Sequence, residues 1–135
     1  MNQKNIKFVL IFIIILILGV SLYYFSKPLD TRLLEVNFIV GGISGIGVGS
    51  NDSLNYGIVM PGNSVTKKVK IGNNFDFPVE VTFLATKNIQ PFIFSDSKVL
   101  IPPGESKLIS FTLELPKNMS YGDYSGEIKL DFRKE

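Results

Sequence analysis

The chain has 135 residues, with 14 Lys plus Arg against 12 Asp plus Glu and a formal net charge of +2. It contains no Cys, His or Trp, which excludes disulfides, thiolate zinc sites and Ser–His–Asp catalysis. At about 150 residues per domain, the length allows one folded domain at most. We therefore expect no enzyme, and no motif indicates a cofactor or a bound metal ion.

The first predicted element is a membrane-anchoring helix over residues 6–26. Its central 18 residues, 8–25, carry no charge, and about 20 apolar residues suffice to cross a bilayer core. Tyr23, Tyr24 and Phe25 at its end are typical of an aromatic belt at the membrane surface. A cleaved secretory signal, with an apolar region of about 7–15 residues, is one alternative, and a cytoplasmic core helix is another.

The charges on either side of this helix predict its orientation. Lys4 and Lys7 precede it without any acidic residue, whereas Lys27 and Arg32 follow it together with acidic neighbours. Because Lys and Arg favour the cytoplasmic side, we expect a single-pass protein of the cell membrane, with the N-terminus inside and the C-terminal domain outside.

The remaining chain divides simply. We expect residues 1–5 to be a cytoplasmic N-terminus, 27–31 a linker and 32–135 one domain. Lys4 and Lys7 account for two of the 14 basic residues, so 12 basic residues balance 12 acidic ones beyond the helix. This balance argues against a nucleic-acid partner and against strong attraction to anionic lipid.

Residues 32–135 are predicted to be all-β, because apolar and polar residues alternate with period two in several stretches. Each stretch then has one buried and one wet face, as in antiparallel sheets. We count about seven strands, separated by turns rich in Pro, Gly and Asn. The residues expected to face inward are Val36, Phe38, Val40, Val65, Val69, Ile71, Val79, Val81, Phe83, Ala85, Ile109, Phe111, Leu113, Leu115, Tyr124, Ile128, Leu130 and Phe132.

Tyr124 opens the last predicted strand, directly after Gly122 and Asp123. A Tyr in this position often turns its hydroxyl back to the backbone and fixes a corner of the sheet. An ordinary inward-facing aromatic side chain is the alternative interpretation.

Several short motifs occur in a fixed order along residues 32–133. They are Leu54-Asn55-Tyr56-Gly57-Ile58-Val59, a strand ending in Asn73, Pro102-Pro103-Gly104-Glu105-Ser106, and Gly122-Asp123-Tyr124. This order resembles the immunoglobulin-like sandwiches of the major sperm protein, PapD-like and ASH (Hydin-type) group. The resemblance implies a seven-stranded immunoglobulin-like antiparallel β-sandwich after the helix. With its anchor, the chain also looks like small membrane-tethered surface proteins of archaea and, in architecture only, like archaellum stator proteins.

The stretch 41–49 is rich in glycine. A phosphate-binding loop would need Gly-Lys-Ser/Thr and a following helix, and the sequence offers neither. A flexible loop or an irregular strand is the favoured interpretation. An exposed edge that accepts a partner's strand, with Gly45 and Gly47 at the contact, is the alternative.

Phe92 and Phe94 are the other candidate partner-binding residues. In a strand they share one face while Ile93 points the opposite way, so one apolar side is exposed unless both sheets cover it. Exposed apolar patches mark binding surfaces. A core strand that crosses between the sheets is the alternative.

Two further surface features are open to two interpretations each. Lys68 and Lys70 share a strand face and indicate either an anion or glycan contact or a charge-protected edge strand. Asn51 and Asn118 each begin an Asn-x-Ser sequon in a predicted turn, where a glycan attaches if the domain lies outside.

We expect this protein to bind another protein rather than to catalyse a reaction. The expected partner is an envelope, surface-layer or filament protein, bound at a strand edge or a sheet face. Two alternatives remain. One is a membrane-tethered carbohydrate-binding or enzyme-accessory module that uses an exposed ring such as that of Tyr56. The other is a cytosol-facing adaptor that resembles major sperm protein domains.

Overall fold

The computed structural model describes residues 3–42, 45 and 53–135, and of Gln3 and Lys4 it describes only the backbone. In these residues one helix precedes eight strands. The elements are α1 (Gln3–Ser26), β1 (Asp30–Val40), β2 (Ser53–Val59), β3 (Ser64–Gly72), β4 (Val79–Ala85), β5 (Ile93–Phe94), β6 (Lys98–Ile101), β7 (Ser106–Glu114) and β8 (Gly122–Lys134).

The apolar run forms the helix that the sequence predicts. Its segment Asn5–Ser26 is long and apolar enough to cross a membrane, and none of its side chains is buried. A core helix of a soluble protein would be mostly buried, so that alternative does not fit. The helix ends at Ser26 because Pro28 disfavours the helical conformation at Lys27.

Two expected boundaries shift slightly. The helix is described from Gln3 onward, and its candidate membrane span, Asn5–Ser26, starts one residue before the expected anchor 6–26. The first strand begins at Asp30, inside the expected linker 27–31. Only three residues, Lys27, Pro28 and Leu29, therefore separate the helix from the first strand.

The strands form two sheets that pack on a shared core, and we call this part of the chain the β body (residues 30–134). The larger sheet has the order β2-β1-β8-β4-β6 and the smaller one the order β3-β7-β5. The alternation found in the sequence is confirmed, because the predicted inward-facing residues lie in this core or pack against it. The largest fully buried side chains include Tyr56, Phe38, Phe111, Leu54 and Ile89.

The expected number of seven strands is wrong, because the segment after Pro91 supplies two short strands. β5 pairs with β7 in the smaller sheet, whereas β6 pairs with β4 in the larger one. Ile93 and Ile101 point into the core from opposite sheets. Strands of two and four residues are too short for a period-two pattern to reveal the change of sheet.

The expectation of purely antiparallel sheets is also wrong at one pair. β1 and β2 run parallel, with Glu35 opposite Ser53 and Val40 opposite Val59, whereas the other pairs in the described residues are antiparallel. Parallel neighbours need a long connection, and 12 residues separate Val40 from Ser53. Alternation shows which residues are buried but not the direction in which a neighbouring strand runs.

A bulge in β2 explains why its burial pattern departs from period two. Asn37 faces Asn55 but Phe38 faces Gly57, so Tyr56 is an extra residue. Gly57 adopts a φ of 70°, and its N–H donates to the side-chain oxygen of Asn55 at 2.9 Å. Leu54 and Tyr56 point into the core by alternation, and the extra residue brings Val59, instead of Ile58, to the same side.

Tyr124 fixes a corner, as the first of its two interpretations predicts. Its hydroxyl donates to the backbone carbonyl of Ser120, four residues upstream, at 3.0 Å. Its ring stacks on Phe38 with the centroids 5.3 Å apart. The hydroxyl therefore connects β8 to the loop that precedes it.

Candidate functional site

The central strand of the smaller sheet, β7, is only partly covered on one side. β3 pairs with it from Ser106 to Glu114, along its whole length. On the other side β5 pairs only at Ile93–Leu113 and Phe94–Thr112. The first half of β7 therefore has one neighbouring strand instead of two.

Backbone hydrogen bonds show which polar groups this leaves without a strand partner. The N–H of Glu114 donates to the carbonyl of Phe92 at 2.8 Å, so the backbone polar groups of Glu114 point toward β5. Successive residues of an antiparallel strand point to alternating sides, so Thr112, Ser110 and Leu108 point the same way. In the described residues no backbone hydrogen bond reaches Ser110 or Leu108 from that side. We call these two residues, on the side away from β3, the β7 edge.

Apolar side chains flank the β7 edge on its solvent face. Leu108 is 65% exposed, and Phe94, at the end of β5, is 50% exposed. Thr112 of β7, which is opposite Phe94, is polar, and its hydroxyl lies 2.8 Å from the hydroxyl of Thr66 on β3. The edge thus combines backbone donors and acceptors with exposed apolar contacts, which is what an added strand requires.

Phe92 does not share this exposed surface, so its pairing with Phe94 is wrong. Phe92 precedes β5, and its half-buried ring packs against the core, while Ile93 is buried and Phe94 faces solvent. The turn before β5 causes the difference, because the N–H of Phe92 donates to the carbonyl of Ile89 at 2.9 Å. Strand alternation therefore does not extend back to Phe92.

The described part of the glycine-rich segment lies against β2 instead of forming a strand. The N–H of Gly41 donates to the carbonyl of Val59 at 3.2 Å, and that of Gly45 donates to Ile58 at 2.9 Å. Because these carbonyls belong to neighbouring residues, they point to opposite sides of β2. Gly45 therefore covers the carbonyl of Ile58, which points away from β1. Gly47 lies outside the described residues.

The lysine-rich strand is an edge strand. β3 pairs only with β7 in the described residues, and Lys68 and Lys70 are exposed on its solvent face. This position fits the interpretation that charge protects an edge from unwanted strand pairing. The two edges of the smaller sheet differ in their side chains. The lysines lie on β3, opposite Ser110 and Leu108, whereas the exposed apolar residues Leu108 and Phe94 lie on β7 and β5.

Tyr56 is not an exposed ring, so it is no glycan platform. It is 2% exposed, and its hydroxyl donates to the carbonyl of Phe111 at 2.9 Å. Burial raises the pKa of this hydroxyl far above its usual value. The ring points inward because Tyr56 lies two residues after Leu54, on the same buried face of β2.

The structure describes one of the two sequons. Asn118 is exposed in the turn between β7 and β8, where the N–H of Met119 donates to the carbonyl of Pro116 at 3.2 Å. Asn51 lies outside the described residues.

A second surface, on the solvent face of the larger sheet, was not predicted from the sequence. Leu33 and Leu84 lie on either side of Lys129, which pairs with both across β1, β8 and β4. They line a groove of about 460 Å³ together with Ala85, Gln90 and Glu127. The only signal for it is that both leucines occupy positions on the solvent-facing sides of their strands, where most residues are polar.

Some charged side chains in the described residues form ion pairs. Glu80 pairs with Lys98 at 3.0 Å, and Asp131 pairs with Lys129 at 3.1 Å. Partial burial works to raise the pKa of Asp131, but hydrogen bonds from Lys129 and Thr31 outweigh it and hold that pKa below its usual range. No group of three Asp or Glu residues in the described chain lies close enough to hold a metal ion.

No protein-family model matches the chain, and no curated protein matches its sequence.

Proposed function

We propose that this protein is a single-pass membrane protein that holds an immunoglobulin-like domain outside the cytoplasm and binds a structural protein of the cell envelope. The partner is an envelope, surface-layer or filament protein, and the role is not enzymatic. The exposed apolar helix supports the anchor, and the lysines before it support the orientation.

The β7 edge is the observation that carries this proposal. An edge strand with open backbone groups is a template for another strand unless charge, Pro or a covering segment blocks it. Charge protects β3, whereas the β7 edge is flanked by Leu108 and Phe94. A partner strand would pair with Ser110 and Leu108 of β7, in line with β5 and beyond Phe94.

The fold supports membership of the immunoglobulin-like group named above. Two sheets share one core, and the hydroxyl of Tyr124 makes the corner contact with Ser120 that is found in many such sandwiches. The eighth strand and the parallel β1–β2 pair are departures from the simplest pattern of that group. A likeness of this kind transfers fold and not function.

The binding mechanism combines main-chain hydrogen bonds with side-chain specificity. The N–H and C=O groups of Ser110 and Leu108 would pair with the incoming strand, and Phe94 and Leu108 would contact its side chains. The anchor confines the β body to the membrane surface and raises its local concentration there, which strengthens a weak contact without adding new ones.

Proline substitution at the β7 edge tests this mechanism. Ser110→Pro removes an N–H that faces the open side, so the pairing with β3 should survive while strand addition is blocked. The matched control is Lys68→Pro, because the N–H of Lys68 faces the open side of β3. We expect a photo-crosslinking amino acid at position 94 of the full-length protein to capture one abundant envelope protein in cells. Ser110→Pro should abolish that crosslink, and Lys68→Pro should retain it.

Equal crosslinking in both proline variants would contradict binding at the β7 edge. Denaturant unfolding of each variant, in detergent, distinguishes a lost contact from a lost fold.

The orientation needs a separate test, and the absence of Cys makes it direct. A single Cys at the exposed Tyr121 should react with a membrane-impermeant maleimide on intact cells, whereas a single Cys at Asn2 should react only after lysis. The reverse result would place the β body in the cytoplasm and favour the adaptor alternative.

A further inference from the structure

One end of the β body carries an exposed aromatic loop next to the strand that leaves the helix. β1 starts at this end, and Asp30 pairs there with Phe132 of β8. Val79 of β4 pairs with Lys134, two residues further along β8. The loop 73–78, between β3 and β4, lies at the same end and presents Phe75, which is 37% exposed. We call this the β1-start end.

The loop is held rigidly, although its tip is exposed. The buried side chain of Asn73 donates to the carbonyls of Phe77 and Ile101, at 2.8 and 2.9 Å, and accepts from the N–H of Phe75 at 2.9 Å. The rings of Phe75 and Phe77 stack with the centroids 5.2 Å apart, and Lys134 lies over Phe77 at 4.8 Å. These contacts hold Phe75 in its exposed position.

The connection to the helix is too short to hold this end away from the membrane. Only Lys27, Pro28 and Leu29 separate Ser26 from Asp30, which allows roughly 14 Å at about 3.5 Å per residue. The N–H of Leu29 already donates to the carbonyl of Phe132 at 2.7 Å, so the free length is shorter still.

The end of the helix has the features of the bilayer surface. Tyr23 and Tyr24 pack edge to face with the centroids 5.9 Å apart, and the ammonium of Lys27 lies 4.6 Å from the ring of Tyr23. Aromatic rings and lysines concentrate at the level of the lipid headgroups. Because the connection is so short, the exposed ring of Phe75 lies close to this level and contacts lipid.

We propose that the β1-start end docks on the surface of the bilayer that holds the helix, with Phe75 and Leu29 in the headgroup layer. This inference rests on the proposed membrane anchor. It assigns a lipid contact to a loop that the anchor alone does not require, and it sets the β body end-on to the membrane. The opposite end, with Tyr121 beside Gly122, then lies about 33 Å away, at about 3.3 Å per residue along β1.

Aromatic and apolar side chains, and not charge, provide this contact. The charged residues at the β1-start end nearly balance one another: they are Lys27, Arg32, Lys107, Arg133 and Lys134 against Asp30, Asp76, Glu80, Glu105, Asp131 and Glu135. Nearly neutral surfaces gain little from anionic lipid. The docking should therefore be the same on vesicles of phosphatidylcholine alone and on vesicles that also contain phosphatidylglycerol.

Tryptophan fluorescence can test the docking, because the natural chain contains no Trp. Full-length Phe75→Trp is reconstituted in phosphatidylcholine vesicles with and without a nitroxide on the lipid headgroup. We expect its emission to be quenched by the nitroxide lipid and shifted to the blue. The matched control is Tyr121→Trp, another exposed aromatic position, which is 69% exposed at the far end and should not be quenched.

A third variant separates failure of the anchor from failure of the docking. Ile14→Trp, in the middle of α1, should be quenched in vesicles brominated along the acyl chains if the helix inserts. An unquenched Ile14→Trp would overturn the anchor. A quenched Ile14→Trp with Phe75→Trp as bright as Tyr121→Trp would overturn the docking while the anchor stands. Equal quenching at positions 75 and 121 would also overturn it, because the β body would then lie on its side.

Discussion

Tyr56 connects the two sheets through one side chain. It projects from the bulge in β2, and its hydroxyl reaches the carbonyl of Phe111 on β7. Its ring is among the largest fully buried side chains. Few single residues in the described chain contribute to packing and to hydrogen bonding across the core in this way.

Replacement of Tyr56 by Phe should therefore lower the free energy of unfolding by about 1 kcal/mol, the net contribution typical of one hydrogen bond. The ring remains, so the loss reports the hydroxyl alone. Urea unfolding of the full-length protein in detergent measures it. Tyr124→Phe is the matched control, with a smaller expected loss, because its hydrogen bond to Ser120 is exposed to water.

The same hydroxyl makes stability depend on pH in the alkaline range. Burial raises the pKa of Tyr56 in the folded state, whereas an unfolded Tyr titrates near pH ~10. Its contribution is complete below pH ~10 and falls above it by about 1.4 kcal/mol per pH unit, because only the unfolded chain then loses the proton. An equal alkaline loss in the wild type and in Tyr56→Phe would contradict this assignment.

At the scale of elements, the connection from β4 to β5 packs on β8 at Gly126, a position without a side chain. Gly126 of β8 faces Thr86 and Ile89, and a Cβ built there would lie 2.6 Å from the Thr86 hydroxyl oxygen and 2.8 Å from Ile89. The N–H of Glu127 donates to that hydroxyl at 3.1 Å. The connection can cross the end of the larger sheet only because residue 126 is glycine.

Gly126→Ala should consequently destabilise the β body by about 1–3 kcal/mol, the usual cost of overpacking. In an ordinary strand the same change would be stabilising, since Ala loses less backbone entropy than Gly. Urea unfolding measures the sign. Gly42→Ala is the control, because its Cβ would meet nothing closer than the Tyr121 hydroxyl at 3.5 Å. A neutral Gly126→Ala would show that the connection can move away from β8.

The elements also show how far the sequence predicts this fold. Alternation identified the buried faces of β1, β3, β4, β7 and β8, because each of these strands has one wet side. It could not predict the parallel β1–β2 pair, whose partners come from separate stretches of chain. It also missed the turn before β5. In that turn the N–H of Phe92 bonds to the carbonyl of Ile89, so the direction of the Phe92 ring does not follow strand geometry.

At the scale of the whole molecule, the β body and the helix are separate structural units. The buried core residues all lie between Leu34 and Phe132, and none of the described helix side chains is buried. A chain that starts at residue 27 should therefore unfold in buffer within about 0.5 kcal/mol of the full-length protein in detergent, as expected when only exposed residues are lost. Failure of that fragment to fold would show that the helix supports the core.

The candidate sites depend on contacts that only the topology creates. Phe94 was singled out from the sequence, but the β7 edge beside it exists because β5 ends after two residues. Phe75 and Leu29 are separated by 46 positions in the sequence and come to the same end only through β8. No local pattern contains that information.

The pairing of β1 also determines how the protein bears force. A pull on α1 enters the β body at Asp30 and acts along β1, which pairs with β8 from Asp30–Phe132 to Val40–Gly122. Hydrogen bonds between strands lie across the strand axis, so this pull loads them together in shear instead of unzipping them one after another. The β body therefore resists extension best along β1, which in the proposed arrangement is the line between the membrane and the bound partner.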